Sequence, residues 1–417
     1  MARVAIVGGY RTPFSKAGTS LAKYSFLELG MAVVKGTIEK LDLDPHQIGE
    51  FVFGTVLLDP RLPNFARETI VRSGLPLSIP AHSVSNNCIS GLVAATVVAE
   101  AIKAGRISVG LAGGSESMSR PALAWKPEAE KFFLRLARAR SIGEKLSTLL
   151  AYRPGFMLPI PPSPKEPSTG LTMGQHCEIS TKEFKISRET QDTIALASHQ
   201  NGARAQQQGY LSEEIIPLGG ADKDNLIRGD TTADKLAKLK PVFDRSEAGS
   251  ITAGNASALT DGASVVCLMS EAEAAKQGRE VLAFLDDVEY AALAPKDGLL
   301  MAPGLALPRL MHRNELSIDS VDRFEIHEAF GAQVAANLKV WKEGWTKFPE
   351  LRPIGEIPNE KINVNGGSIA IGHPFAATGG RLLISAAREL KRSGKKTAVL
   401  SVCAAGGMGC AMLLRRS

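Results

Sequence analysis

Four residues of this chain are of types that attack carbonyl carbon or move protons, and each stands in a setting that structure alone does not require. Cys88 lies in SVSNNCISGLVAA, residues 83–95, just before a run of small apolar residues. With a helix beginning near Ile89, the thiol stands at its N-terminus, where free N–H groups and aligned peptide dipoles stabilise an anion. Such placement lowers a thiol's pKa and favours the nucleophilic thiolate. His373 lies in GHPFAATGGR, residues 372–381. Proline disfavours the α region for the residue before it, so His373 is held extended at the mouth of a helix. Cys403 ends the apolar run TAVLSVC and enters the glycine turn of CAAGGMG. Sites in α/β proteins form at such strand ends; there a thiol can exchange protons and free turn N–H groups can bind an oxyanion. His327, in FEIHEAFGAQ, follows a strand directly. A Cys–His pair gives an activated nucleophile. Each residue also has a bland reading: a small buried thiol for either cysteine, a hydrogen-bonded loop for either histidine.

The elements that must position these groups alternate in type. VAIVGG reads as a strand, residues 26–41 as a helix, EFVFGTVLL as a strand, residues 89–105 as a helix, and VGLAGGSES as a strand and glycine turn. This alternation predicts an α/β layer structure. The C-terminal part repeats the plan. Residues 48–54 resemble 321–327, residues 88–91 lie opposite 377–380, and residues 102–105 lie opposite 390–394. A constant offset serves the later matches. Two similar halves are therefore expected, with loops of both meeting at one site. The first half covers 1–120 and is completed by about 248–270; the second covers 271–417. Between them, 121–247 is rich in charge and proline, including residues 154–167, and reads as an inserted loop domain.

Composition narrows the function classes. The 417 residues suit two or three domains, and 44% apolar with 22% charged residues is a soluble globular balance. No apolar run reaches the ~18 residues of a membrane span. The N-terminus lacks a signal peptide's apolar core, so cytoplasm is the default compartment. Five scattered cysteines without CxxC give no zinc site, redox pair or disulfide framework. HEAF lacks the second histidine of HExxH, and no metal is expected. A net charge of +6 suits an anionic substrate or a membrane surface; with no nucleic-acid-binding signature, nucleic acid ranks last.

Taken together, GGYRTPF, NNCISG, MGQ at Met173, TAGNAS from Thr252, HEAF, NGGSIAIGHPFAATGGR and CAAGGMG resemble the thiolases over nearly the whole chain. The resemblance implies two α/β halves stacked as five α-β-α-β-α layers with a loop domain, in a homodimer or tetramer. It implies cleavage of 3-ketoacyl-CoA by CoA to acetyl-CoA and a shortened acyl-CoA, with CoA as substrate and no cofactor. Cys88 would be the nucleophile, His373 its base, and Cys403 the acid and base for the acetyl-CoA enolate and incoming CoA. One oxyanion hole would use the backbone N–H groups of Cys88 and Ala405, the other His373 and His327. Ser257 would lie along the pantetheine, with Met173 near the substrate.

The chain departs from the biosynthetic thiolase pattern. His327 stands at a usual asparagine, Ala405 at a usual glycine and Thr172 at a usual histidine. HEAF with CAAGG is most similar to the β subunits of fatty-acid trifunctional enzymes, which implies a degradative role and a hydratase/dehydrogenase α subunit as partner. Acetoacetyl-CoA synthesis, a ketoacyl-synthase-like enzyme and a non-catalytic acyl-CoA scaffold are the rivals. Within the insertion, Lys131, Arg135 and Arg138 share one face of a helical stretch, with Phe132, Phe133 and Leu136 opposite. A basic amphipathic helix suits an anionic membrane surface or a partner protein, or packs on its own domain.

Overall fold

A computed structural model of the chain describes residues 2–160 and 165–417; residues 161–164 of the proline-rich stretch lie outside it. Ten strands form one sheet: β1 Val4–Arg11, β2 Ser15–Lys16, β3 Glu50–Gly54, β4 Ala81–Val84, β5 Val109–Glu116, β6 Thr260–Ser270, β7 Ala283–Ala292, β8 Arg323–Ile326, β9 Thr397–Ala404 and β10 Met408–Arg415. Their order is β4-β3-β5-β6-β1-β7-β10-β9-β8, with β2 beside β6. β3 pairs in parallel with β4 and β5, and β8 with β9; the remaining pairs are antiparallel. A seam of three residue pairs, Val4↔Leu285, Ala5↔Phe284 and Ile6↔Ala283, joins the two halves.

Period-two alternation along these strands sorts their side chains into separate cores. Val266 and Leu268 of β6, with Leu400 and Val402 of β9, face a central core built around two helices, Ser90–Lys103 and Phe375–Ser393. Val265, Cys267 and Met269 face an outer core under the helix Phe26–Lys40. Val399, Ala411 and Leu413 face a second outer core under the helices Pro303–Arg313 and Gly331–Glu343. Helix, half-sheet, helix, half-sheet and helix thus follow in five layers, the one hydrogen-bonded sheet being continuous across the β1–β7 seam.

The central helices bring the halves together by close backbone approach. A Cβ placed on Gly91 would stand 2.6 Å from the carbonyl oxygen of Ala376, and one on Gly379 2.7 Å from the amide of Leu92. No side chain larger than hydrogen fits that crossing. The two N-termini, one from each half, are thereby held side by side. Neither has a side-chain cap, whereas the peripheral helix Phe26–Lys40 carries a full capping box from Ser25 and Glu28.

The insertion differs from its expected face pattern. Phe132 on the helix Pro127–Arg138 is buried against Tyr152 and Phe156, and Phe133 packs on Trp125. The apolar side of that helix is therefore covered by the insertion itself. Exposed apolar side chains lie farther on: Ile142 is 79% exposed, Leu146 59% and Leu150 89%, while Lys131, Arg135 and Arg138 line a cleft with Glu144, Ser147 and Thr148. Among the described residues no helix is long and apolar enough to cross a membrane.

Candidate active site

Cys88 stands on a tight turn between β4 and the first central helix. Asn87 adopts a left-handed backbone (φ 48°), a conformation asparagine tolerates better than most residues. Its side-chain Nδ2 donates to the Ala405 carbonyl at 3.0 Å, tying the turn to the CAAGG segment after β9. Gly406 and Gly407 continue that segment with φ of 79° and 72°. Glu166, from the insertion, accepts from the Gly406 N–H at 3.0 Å and holds the turn from outside. The Ala405 and Cys88 N–H groups lie near enough to the Cys88 sulfur to favour its anion. Both are backbone donors expected at an oxyanion hole.

The second central helix brings the histidine. His373 Nε2 lies 3.2 Å from Cys88 Sγ, and its Nδ1 lies 2.6 Å from Thr378 Oγ1, one and a half turns along the chain. The His373 amide donates to Thr260 Oγ1 at 3.0 Å. Thr260 opens β6, the strand that closes the first half, so both halves hold this loop. The tautomer with its proton on Nδ1, donating to Thr378, presents the Nε2 lone pair to the thiol.

His327 stacks against His373 with ring centroids 4.1 Å apart. It is fully buried. Its Nδ1 lies 2.8 Å from Ser368 Oγ. Its Nε2 has no partner among the described residues. The donor atoms of Cys88, His327 and His373 all lie within 4.8 Å of one another. That spacing would also admit a metal ion, but Cys88 Sγ and His373 Nε2 already engage each other.

The resting protonation differs from the sequence expectation for Cys88. Burial pushes the thiol up to about 12; the N–H groups of Ala405 and Cys88 oppose this but do not outweigh it. Cys88 lies two positions before the start of the helix at Ser90 and packs against an apolar core, so desolvation dominates the helix terminus. Burial, aided by Arg381, pulls His373 down to about 3, and burial with His373 and Arg381 nearby holds His327 well below the usual imidazole range. Both shifts favour the neutral thiol and the neutral imidazole in the resting pair, although Cys88 itself is only half-buried.

Cys403, near the end of β9, is buried in a small core with Cys177, Phe330 and Ala329, with Met173 packed against it. Its thiol is held well above the ordinary range by burial, with Cys88 and Cys177 nearby adding to the effect. Ser257 is half-buried on an extended segment whose neighbours reach both loops: the Ser257 amide donates to the Ala329 carbonyl at 3.0 Å, and Leu259 bridges to His373. Thr172 caps the helix Met173–Glu183 in a capping box with Gln175. The sequence reading did not reach Thr378, Ser368 or Glu166. Thr378 has a local signal, a hydroxyl five residues after His373 at a helix start. Ser368 and Glu166 have none, since long-range folding alone brings them in.

A thiol, an imidazole lone pair, two converging N–H groups and a second thiol can together add to a carbonyl, hold the oxyanion and shuttle a proton. Residues 4–272 match the family model "Thiolase, N-terminal domain", and residues 279–416 match "Thiolase, C-terminal domain". The chain is 40% identical to a 3-ketoacyl-CoA thiolase of Pseudoalteromonas translucida, across 99% of this chain and 96% of that one. It is 38% identical to one of Vibrio cholerae, across 99% and 97%. Its fold superposes on the acetyl-CoA acetyltransferase of Bacillus anthracis with a TM-score of 0.83 at 30% identity, covering 100% of this chain and 99% of that one. By its two domains, its site and its relatives, the chain belongs to the thiolase family.

Proposed function

We propose that this protein is a 3-ketoacyl-CoA thiolase (acetyl-CoA C-acyltransferase) of fatty-acid β-oxidation, working through an acyl-Cys88 intermediate. The observation that carries this reading is the 3.2 Å approach of His373 Nε2 to Cys88 Sγ, with the backbone N–H groups of Cys88 and Ala405 near the same sulfur. Cys88 sulfur adds to the 3-keto carbon as its proton moves to His373 Nε2. The new alkoxide is held by the N–H groups of Cys88 and Ala405. Collapse breaks the C2–C3 bond. The departing enolate, its oxygen held by His373 Nε2–H and His327, takes the Cys403 proton and leaves as acetyl-CoA. The Cys403 thiolate then takes the proton of an incoming CoA thiol. The CoA thiolate attacks the acyl-Cys88 thioester, and Cys88 leaves and recovers its proton from His373. Ser257 and Met173 lie along the CoA arm and the acyl chain. No cofactor or metal enters these steps; CoA is a substrate.

The degradative direction rests on the 3-ketoacyl-CoA thiolases at 38–40% identity, against 30% for the acetyl-CoA acetyltransferase neighbour. Thiolysis rates against 3-ketoacyl-CoA from four carbons upward test it. Activity confined to acetoacetyl-CoA would reverse the direction. Absence of an acyl mass shift on Cys88 after incubation with acyl-CoA would remove the mechanism. We place the protein in the cytoplasm as a homodimer or tetramer. The insertion rests on anionic lipid or a hydratase/dehydrogenase α subunit through the exposed Ile142, Leu146 and Leu150, with Lys131, Arg135 and Arg138 supplying positive charge to the same insertion. Vesicle flotation unchanged when residues 128–150 give way to a short linker would refute the lipid contact.

A further inference from the structure

His327 and His373 meet with their rings tilted at 49°, yet their outer nitrogens meet different partners. His373 Nδ1 meets Thr378 Oγ1 alone. His327 Nδ1 meets a serine that is already engaged: Ser368 Oγ lies 2.8 Å from Arg381 Nη2. Ser368, Arg381 and His327 are all fully buried. A guanidinium can only donate, so the Ser368 oxygen accepts from Arg381. The remaining proton of the hydroxyl has one acceptor within reach, His327 Nδ1. Were Nδ1 itself protonated, two donors would point at Ser368 and its own O–H would be stranded in the interior, which is costly. The arrangement that pairs both the Ser368 hydroxyl and His327 Nδ1 leaves the His327 proton on Nε2. That atom is the one without a partner, and it faces Cys88 and His373.

We propose that Arg381 and Ser368 are positioning residues that lock His327 in the Nε2–H tautomer, opposite to that of His373, so that the site presents one imidazole as acceptor and its neighbour as donor. The proposal rests on the thiolase reading above for its purpose. The donor is fixed before substrate arrives, so the enolate oxygen meets an oriented N–H rather than a lone pair. The same hydroxyl explains how histidine serves at a position where many thiolases carry asparagine. An asparagine amide brings its own donor and needs no tautomer to be set.

The test has two arms. Two-bond ¹H–¹⁵N correlations on protein labelled at its seven histidines report the tautomer of each ring, and the His327→Asn variant identifies the His327 signal. The expected result is His327 protonated at Nε2 and His373 at Nδ1; a proton on His327 Nδ1 overturns the proposal. This arm needs only the wild-type fold and is independent of turnover. A missing acyl-Cys88 would remove the reaction but leave the tautomer standing. In the second arm, Ser368→Ala lowers kcat about tenfold with KM unchanged in the wild-type background, and has no further effect in His327→Asn. An equal loss in both backgrounds would mean that Ser368 only supports the fold.

Discussion

At the end of β3 stands Gly54; just past the matching end of β8 stands His327. Near the end of β5 stands Gly114, and at the matching position of β9 stands Cys403. The two halves share a plan and use the same two positions differently. In the first half these positions are places of contact. A Cβ on Gly54 would come within 2.8 Å of Ser90 Cβ, and one on Gly114 would overlap the Ala376 carbonyl oxygen. Both contacts seat a central helix, and with it Cys88 or His373. In the second half the equivalent positions carry an imidazole and a thiol. One copy of the repeat sets the distance between the reacting groups, and the other supplies most of them.

Exchanging these residues breaks or sharpens the comparison. The largest effect is expected from Cys403→Gly, which gives the second half the residue of the first. Loss of a positioned acid and base costs on the order of 10³-fold in thiolysis. Acyl transfer from acyl-CoA onto Cys88 should survive, as read by intact mass. Unimpaired thiolysis would show that the second thiol is not needed.

The reciprocal change, Gly114→Cys, comes next. The added Cβ has nowhere to go but into the Ala376 carbonyl, and overpacking of this kind costs about 3 kcal/mol. The midpoint of urea unfolding reports it. A variant as stable as wild type would mean that the close approach is incidental.

The smallest effect concerns pH. An unfolded histidine takes up a proton near its ordinary value of 6.5, whereas folded His373 does so only near about 3 and folded His327 well below its usual range. Between those values the unfolded state binds more protons, so stability falls as pH drops from 6.5. Each histidine contributes on the order of 1 kcal/mol per pH unit. Denaturant titrations at pH 7, 6 and 5 should show this loss, and His373→Gln should remove part of it. A flat response would mean that the two rings are not held neutral.

Much of this contrast was legible in the sequence. The internal match locates the paired strand ends, and the local settings of Cys88, His373 and His327 mark each of them. These are local signals: a proline after a histidine, small residues after a cysteine, glycines after a strand. The protonation state was not legible, because desolvation depends on everything packed around a group. The helix-terminus argument for a low Cys88 pKa counted the nearest dipoles and missed the apolar surroundings. The packing of the insertion was hidden for a similar reason. Residues 127–138 show an amphipathic pattern, but the sequence does not reveal that Tyr152 and Phe156 fold back on Phe132. Ser368 lies 41 residues from His327 and was silent for the same reason.

The seam between the halves has a consequence for how the chain is made. β1 lies in the middle of the sheet, and its partners are β6, which ends at Ser270, and β7, which begins at Ala283. Of the ten strands β1 is made first, and more than half the chain must follow before either flanking strand exists. At ~5–20 residues per second, that delay is roughly ten seconds to a minute. Throughout it, Val4, Ala5, Ile6 and Val7 form an unpaired apolar strand, the kind of segment that nascent-chain chaperones cover.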